Sequence, residues 1–238
     1  MSPNLRTTSI LRPFAAALVL VMASVVVVHA VGLGGLHARS LGSWQGAAPS
    51  TPTVLTCDRF NLSAPTGTAI NGRPVRSVAS CGTFTWATHS GTWSISSGRA
   101  GASGTNATAT LPTTSASITV DAEMTGLASG RIGGLALSHG GTGGRYLAGV
   151  VNGLTQVQLR LYNGSAISTL ATATTTLAST IQLRVRRSAS TVTISVNGTV
   201  RLTYTLTAAN LTTLGSGTRA GLYASNNSLR FTDFVATP

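Results

Sequence analysis

Asp121 and Glu123, in the run "ASITVDAEM", are the residues whose type and spacing first invite chemistry. Paired carboxylates can divide general acid and general base work between them. An extended strand turns both to one face, about 7 Å apart along the chain. A retaining glycosidase holds its carboxyl groups ~5–5.5 Å apart. The pair therefore reads first as a solvated polar face beside arginine, and only second as catalytic. His89 and His139 are the other candidates for proton chemistry. His139 stands in the glycine-rich run "SHGGTGGRY", where a lone histidine is expected to be solvent-exposed. There is no His-x-His, Cys-x-x-Cys or His-Glu-x-x-His, so no transition-metal site is expected. Gly-x-Ser-x-Gly is missing too, and without lysine there is no phosphate-binding P-loop. The reading leans away from an enzyme.

Binding chemistry is better supplied. Tyr146, Tyr162, Tyr204 and Tyr223 are candidate platforms for sugar stacking. Tyr204 follows the apolar phase of its strand and reads as core. Tyr162 follows the polar phase, beside Gln158 and Arg160. Strands over 155–162, 181–187 and 198–206 put Arg160, Arg184, Arg186 and Arg201 in the outward phase. Val157, Leu159, Leu183, Val185, Leu202 and Tyr204 take the inward phase. The last two segments flank a strand over 191–196, so their arginines are expected on one sheet face with Thr193 and Thr203. Arginine forks suit carboxylate and phosphate. Arg160, Tyr162, Arg184, Arg186 and Arg201 are thus the expected ligand-binding residues, and the competing reading is a solvated face that keeps the domain soluble.

The chain around them is polar without being charged. Of 238 residues only 8% are charged, and the net charge is +12. All 16 basic residues are Arg, set against four acids, Asp58, Asp121, Glu123 and Asp233. Such a field attracts anionic glycan, acidic lipid or nucleic acid. With no basic run longer than "RR", nucleic acid is not the expected partner.

The elements that must position these residues are strands. "ASITVDAEM", "TQVQLRLY", "IQLRVRR", "STVTISVNG" and "VRLTYTL" alternate apolar and polar residues, the period of antiparallel sheets with one face buried. Asn-Gly at 152–153, 163–164 and 197–198 supplies the positive φ of tight hairpins. Only 207–215 could hold a helical turn. The fold class is all-β: a two-sheet antiparallel jelly-roll sandwich over residues 57–238.

Ahead of it, Arg6 and Arg12 precede an apolar core over 14–28, and "VHA" ends at Ala30. This describes residues 1–30 as a secretory signal peptide cut near Ala30. The alternative is a retained signal anchor, a single transmembrane helix reading on to Leu36. Both put the body outside the cytoplasm. Residues 37–56 read as a flexible linker. In an oxidising compartment Cys57 and Cys81 are expected to form a disulfide, contributing about 3–4 kcal/mol on the chain-entropy account.

The order of segments resembles the concanavalin A-like lectin/glucanase superfamily, in its laminin G-like, secreted bacterial form. The matching residues are "CDRFN" at 57–61, "GTWSISSGRA" at 91–100, "GGLALS" at 133–138, "IQLRVRRSASTVTISVNGTV" at 181–200 and "RAGLYASNNSLRFTDFVATP" at 219–238. The resemblance implies an opening Asp-x-Phe strand beside the closing strand, and a scaffold hairpin with Trp93 packed inside. "DAEM" lacks the Glu-x-Asp-x-x-Glu pattern of the glucanase members, which weakens Asp121 and Glu123 as catalysts. Related domains often hold calcium, so the resemblance leaves that ion open while no other cofactor is expected. The expected function is a non-catalytic, carbohydrate-binding, lectin-like module whose partner is a glycan or an anionic cell-envelope polymer, reached from the membrane if the N-terminal segment is uncleaved. The alternatives are a structural or adhesion domain with a protein partner, and a glycoside hydrolase-like enzyme.

Overall fold

A computed structural model describes residues 56–60, 66–75, 82–141, 144–226 and 228–238. The signal or anchor segment at 1–30 and nearly all of the linker at 37–56 lie outside the described residues. Among the described residues, no helix is long and apolar enough to cross a membrane.

Alternation in the sequence becomes antiparallel pairing throughout. The strands are β1 (Thr56–Asp58), β2 (Thr68–Ala69), β3 (Ala87–Ser96), β4 (Arg99–Pro112), β5 (Ile118–Thr125), β6 (Ile132–Leu137) and β7 (Arg145–Asn152). They continue as β8 (Gln156–Asn163), β9 (Ala166–Thr174), β10 (Thr180–Ser188), β11 (Thr191–Val196), β12 (Thr199–Thr205), β13 (Arg219–Ala224) and β14 (Arg230–Thr237). The expected helical turn is α1 (Ala208–Leu214), whose first turn is closed by reciprocal hydrogen bonds between Thr207 and Asn210. The fold is all-β apart from this helix.

One continuous ladder runs β12-β11-β10-β5-β14-β4-β13-β6-β7-β8-β9, and it folds over at β4 into two layers, a first sheet from β12 to β14 and a second from β13 to β9. Hairpin β3–β4 serves both. The Arg99 end of β4 pairs beside β14, at Gly101↔Arg230, while its other end pairs with β13, at Leu111↔Ala220. The crossing is bent at Gly104 (φ 101°) and Asn106 (φ 52°), with register shifts in β3 opposite. Ser97 and Gly98, both at positive φ, form the hairpin's tip. Trp93 packs inside, 1% exposed, as the resemblance implied.

The core lies between the sheets. Val120 and Met124 of β5, Leu183 and Val185 of β10 and Ile194 of β11 join one cluster with Leu135 of β6, Leu147 of β7 and Leu159 of β8. Full burial of such a side chain contributes about 1.5–3 kcal/mol. Gly149 shows how close the layers come: a Cβ there would stand 2.5 Å from Val185 Cγ2. Tyr204 is half-buried against this core, in the phase expected of it.

The closing strand does lie beside the opening one, with Asp58 opposite Phe234. Asp58 is wholly buried, ion-paired with Arg73, and accepts a hydrogen bond from Trp86 Nε1 at 2.7 Å. Trp86 in turn lies between the rings of Phe60 and Phe234. Cys57 is buried in β1. Cys81 lies outside the described residues, so its expected bridge to Cys57 remains an expectation.

Candidate functional site

The sandwich separates the sequence candidates onto two outward faces. Asp121, Glu123, Arg184 and Arg186 stand on the outside of the first sheet. Register sets Arg184 opposite Asp121, and Arg184 Nε donates to Asp121 Oδ1 at 2.6 Å. Gln182, opposite Glu123, offers its amide to Oε2 at 3.4 Å. The two carboxylates are thus partnered on an open face, as the polar-face reading expected. Arg201 is exposed, in the outward phase expected of it, but it stands at an irregularity. A bulge after Ile194 sets Val200 opposite Ser195, and Val200, not Arg201, lines the neighbouring cleft.

Arg160 and Tyr162 belong to the outside of the second sheet, across the thickness of the sandwich from the other arginines. Arg160 donates from Nε and a terminal nitrogen to Gln158 Oε1, at 2.9 and 2.7 Å. Tyr162 has the expected phase but not the expected exposure. It is 3% exposed because its ring lies parallel to that of Tyr146, 4.3 Å away. The hairpin explains this: Tyr146 and Tyr162 are direct cross-strand partners, the pairs whose side chains stand closest in a sheet.

This pair starts a ladder of rings. Tyr146 stacks on His139 at 4.9 Å, His139 stacks on His89 at 4.0 Å, and Tyr162 leans on Tyr223 at 5.4 Å. His89, His139, Tyr146 and Tyr162 of this ladder line a cleft of about 600 Å³, walled also by Ser90, Asn106 and Thr108 of the β3–β4 hairpin and rimmed by exposed Ile167, with Tyr223 behind them. No carboxylate lines it. The bend in β4 places Asn106, whose Oδ1 accepts from Tyr223 Oη at 2.6 Å.

The cleft's electrostatics follow from burial. His139 is fully buried, which corrects the expectation of a solvent-exposed histidine. The backbone carries it inward, its own N–H donating to the Arg219 carbonyl at 2.9 Å. Burial first, then His89 and Arg219, push its pKa down to about 3. Its Nδ1 accepts from the Gly141 N–H at 3.0 Å, which leaves the proton on Nε2. That Nε2 has no hydrogen-bond partner, and Tyr162 Oη has only the Tyr223 phenol within reach. His89 Nε2 contacts Thr110 Oγ1 at 2.7 Å, and its pKa is lowered by burial and then by Arg219. Arg219 donates to the same Oγ1 at 2.8 Å. Burial, and after it the neighbouring Tyr162, hold the Tyr146 and Tyr223 phenols protonated.

The cleft therefore offers neutral imidazoles, phenols, hydroxyls and an amide, with no activated nucleophile. It can hydrogen-bond an uncharged polar ligand. Among the described residues, no group of three or more His, Cys, Asp or Glu could hold a metal ion. Sequence reasoning named Tyr146 and Tyr223 singly. Counting back from the Asn152-Gly153 turn puts Tyr146 across from Tyr162, and that signal was present. Nothing local brings His139 to them.

No protein-family model matches the chain, and no curated protein matches it. Among solved structures it is similar to the carbohydrate-binding module CBM66 from Bacillus subtilis, with 15% identity, 64% of this chain and 90% of that one covered, and a TM-score of 0.46. A Bacillus subtilis protein of unknown function with a galectin-like fold is 14% identical over 73% of this chain and 97% of its own, with a TM-score of 0.45. Sheep galectin-11 is 10% identical over 56% of this chain and 97% of its own, with a TM-score of 0.41. At these identities function has to be read from the residues of the cleft.

Proposed function

We propose that the protein is a non-catalytic jelly-roll module that acts outside the cytoplasm and binds a neutral saccharide in the cleft between His139 and Tyr162. One observation carries this: a buried polar atom, His139 Nε2, stands without a partner beside an acid-free cleft that Tyr162 also lines. Leaving such a group unmatched costs about 1–3 kcal/mol, and a ligand hydroxyl, which both donates and accepts, removes that cost. His139 and Tyr146 spend both ring faces on their neighbours, so the saccharide is held by hydrogen bonds rather than by stacking on them. A protein partner is less well supported. Ile167 and Val200 are the large hydrophobics exposed among the described residues, and they line different clefts. The extracytoplasmic setting rests on the apolar stretch after Arg12, and protease shaving of intact cells should cut the body of the protein.

The test is a glycan array probed with the full chain, followed by affinity measurement on the best neutral ligand. Tyr162→Phe removes one oxygen and keeps the stack, so it should weaken binding about tenfold, the value of one well-made hydrogen bond in a buried site. A ligand held equally well by wild type, Tyr162→Phe and His139→Ala would show that the cleft is not the site.

A further inference from the structure

The opposite face of the sandwich carries a second feature that the saccharide cleft does not use. We infer that the outside of the first sheet binds a carboxylated polysaccharide along a track formed by Arg184 and Arg186. Register makes the charge imbalance explicit. Arg184 has Asp121 on one side and Ser195 on the other. Arg186 has Thr119 and Thr193, so neither cross-strand neighbour carries a negative charge. Arg187 points the other way and is 8% exposed. It donates to the Ala189 carbonyl at 3.0 Å and to Ser138 Oγ, and neither partner is an acid. Burial alone holds its pKa below the ordinary arginine value.

Arg184 and Arg186 line one cleft of about 450 Å³ together with the hydroxyl residues Thr119, Thr193 and Ser195 and with Val200 and Pro238. A second hollow of about 250 Å³ shares Arg184, Ser195 and Gly198 with it and leads on to Asp121. Together they form a track across the sheet, suited to a chain of repeating units rather than a single small anion. The face already shows how it takes a carboxylate: Arg184 grips Asp121 through Nε, with the arginine still 59% exposed. Hydroxyls between the charges match the hydroxyls between the carboxylates of a uronate polymer. Asp121 is then an internal competitor that occupies one fork until a polymer carboxylate shares or displaces it.

The experiment measures binding of the full chain to polygalacturonate, to a neutral glucan of equal length and to poly(glycerol phosphate). The uronate should bind tightest and weaken as salt rises, since exposed charges are screened beyond ~10 Å at 0.1 M salt. Arg184→Gln with Arg186→Gln should lower that affinity about tenfold or more, and Asp121→Asn, which frees the Arg184 fork, should raise it about threefold. Tyr162→Phe should leave uronate binding unchanged, so that failure here and failure of the saccharide cleft can be told apart. Melting temperatures equal to wild type exclude unfolding, because Arg184 and Arg186 are exposed. Equal uronate binding by wild type and the double variant, or no gain in Asp121→Asn, would overturn the inference. Tighter binding of the phosphate polymer would overturn the carboxylate assignment.

Discussion

Burial makes His139 a proton-linked residue. In the unfolded chain a histidine titrates near 6.5, whereas in the fold its pKa is pushed down to about 3. As pH falls through the interval between these values the unfolded chain takes up a proton that the folded protein refuses, so stability falls with it. His89 acts in the same direction. Melting temperature should therefore drop as pH is lowered from 7 to 4, and His139→Gln should flatten that slope in calorimetry. An unchanged slope would mean that His139 is charged or open to solvent in the folded state. The His139 contribution to saccharide affinity should stay level between pH 5 and 8, because its imidazole remains neutral there. None of this was legible at the residue itself. The groups that set the pKa of His139, His89 and Arg219, arrive from β3 and β13, and a glycine-rich run gives no sign of them.

At the scale of elements, period-two alternation and Asn-Gly turns predict a great deal. Asn197 and Gly198, both at positive φ, make the expected turn between β11 and β12. The inward phases of β5, β8 and β10 are those the alternation gives. Departures come where a strand stops being regular. The bulge after Ile194 moved Arg201 out of the cleft, and the bend at Asn106 lets one hairpin serve two sheets. Neither position is marked by proline, and Asn106 takes a left-handed φ that glycine more often holds. Two substitutions test the elements. Gly149→Val would drive a branched side chain into Val185 and should cost about 1–3 kcal/mol in urea denaturation, as overpacked cores do. Asp58→Asn leaves the buried Arg73 guanidinium without its counter-charge and should cost about 3–5 kcal/mol. A variant as stable as wild type would mean that this corner of the fold is wet.

For the molecule as a whole, the two-sheet arrangement gives the functional reading its shape. One outward face ends in a neutral, ring-lined cleft, and the other presents arginines with few acids to answer them. Sequence phase assigned residues to outward faces correctly, but it could not say which outward face, because both sheets alternate alike. Arg160 was therefore grouped with arginines from which the core divides it. Pairing of Cys57 with Cys81 belongs to this scale too, since it depends on the compartment. Protein recovered from outside the cytoplasm and denatured without reductant should show no thiol reactive to alkylation, and two reactive thiols would contradict the bridge.

β14 sits inside the first sheet, with β5 on one side and β4 and β1 on the other. Thr56 therefore waits for Ala236, and β5 keeps an open edge for as long as β14 is missing. Topologies dominated by such distant pairings fold slowly, on a scale of milliseconds to seconds. A chain emerging one residue at a time cannot close this sandwich early. The late central strand therefore keeps the polypeptide open until its last residues have been made, and closure of the sandwich follows synthesis rather than accompanying it.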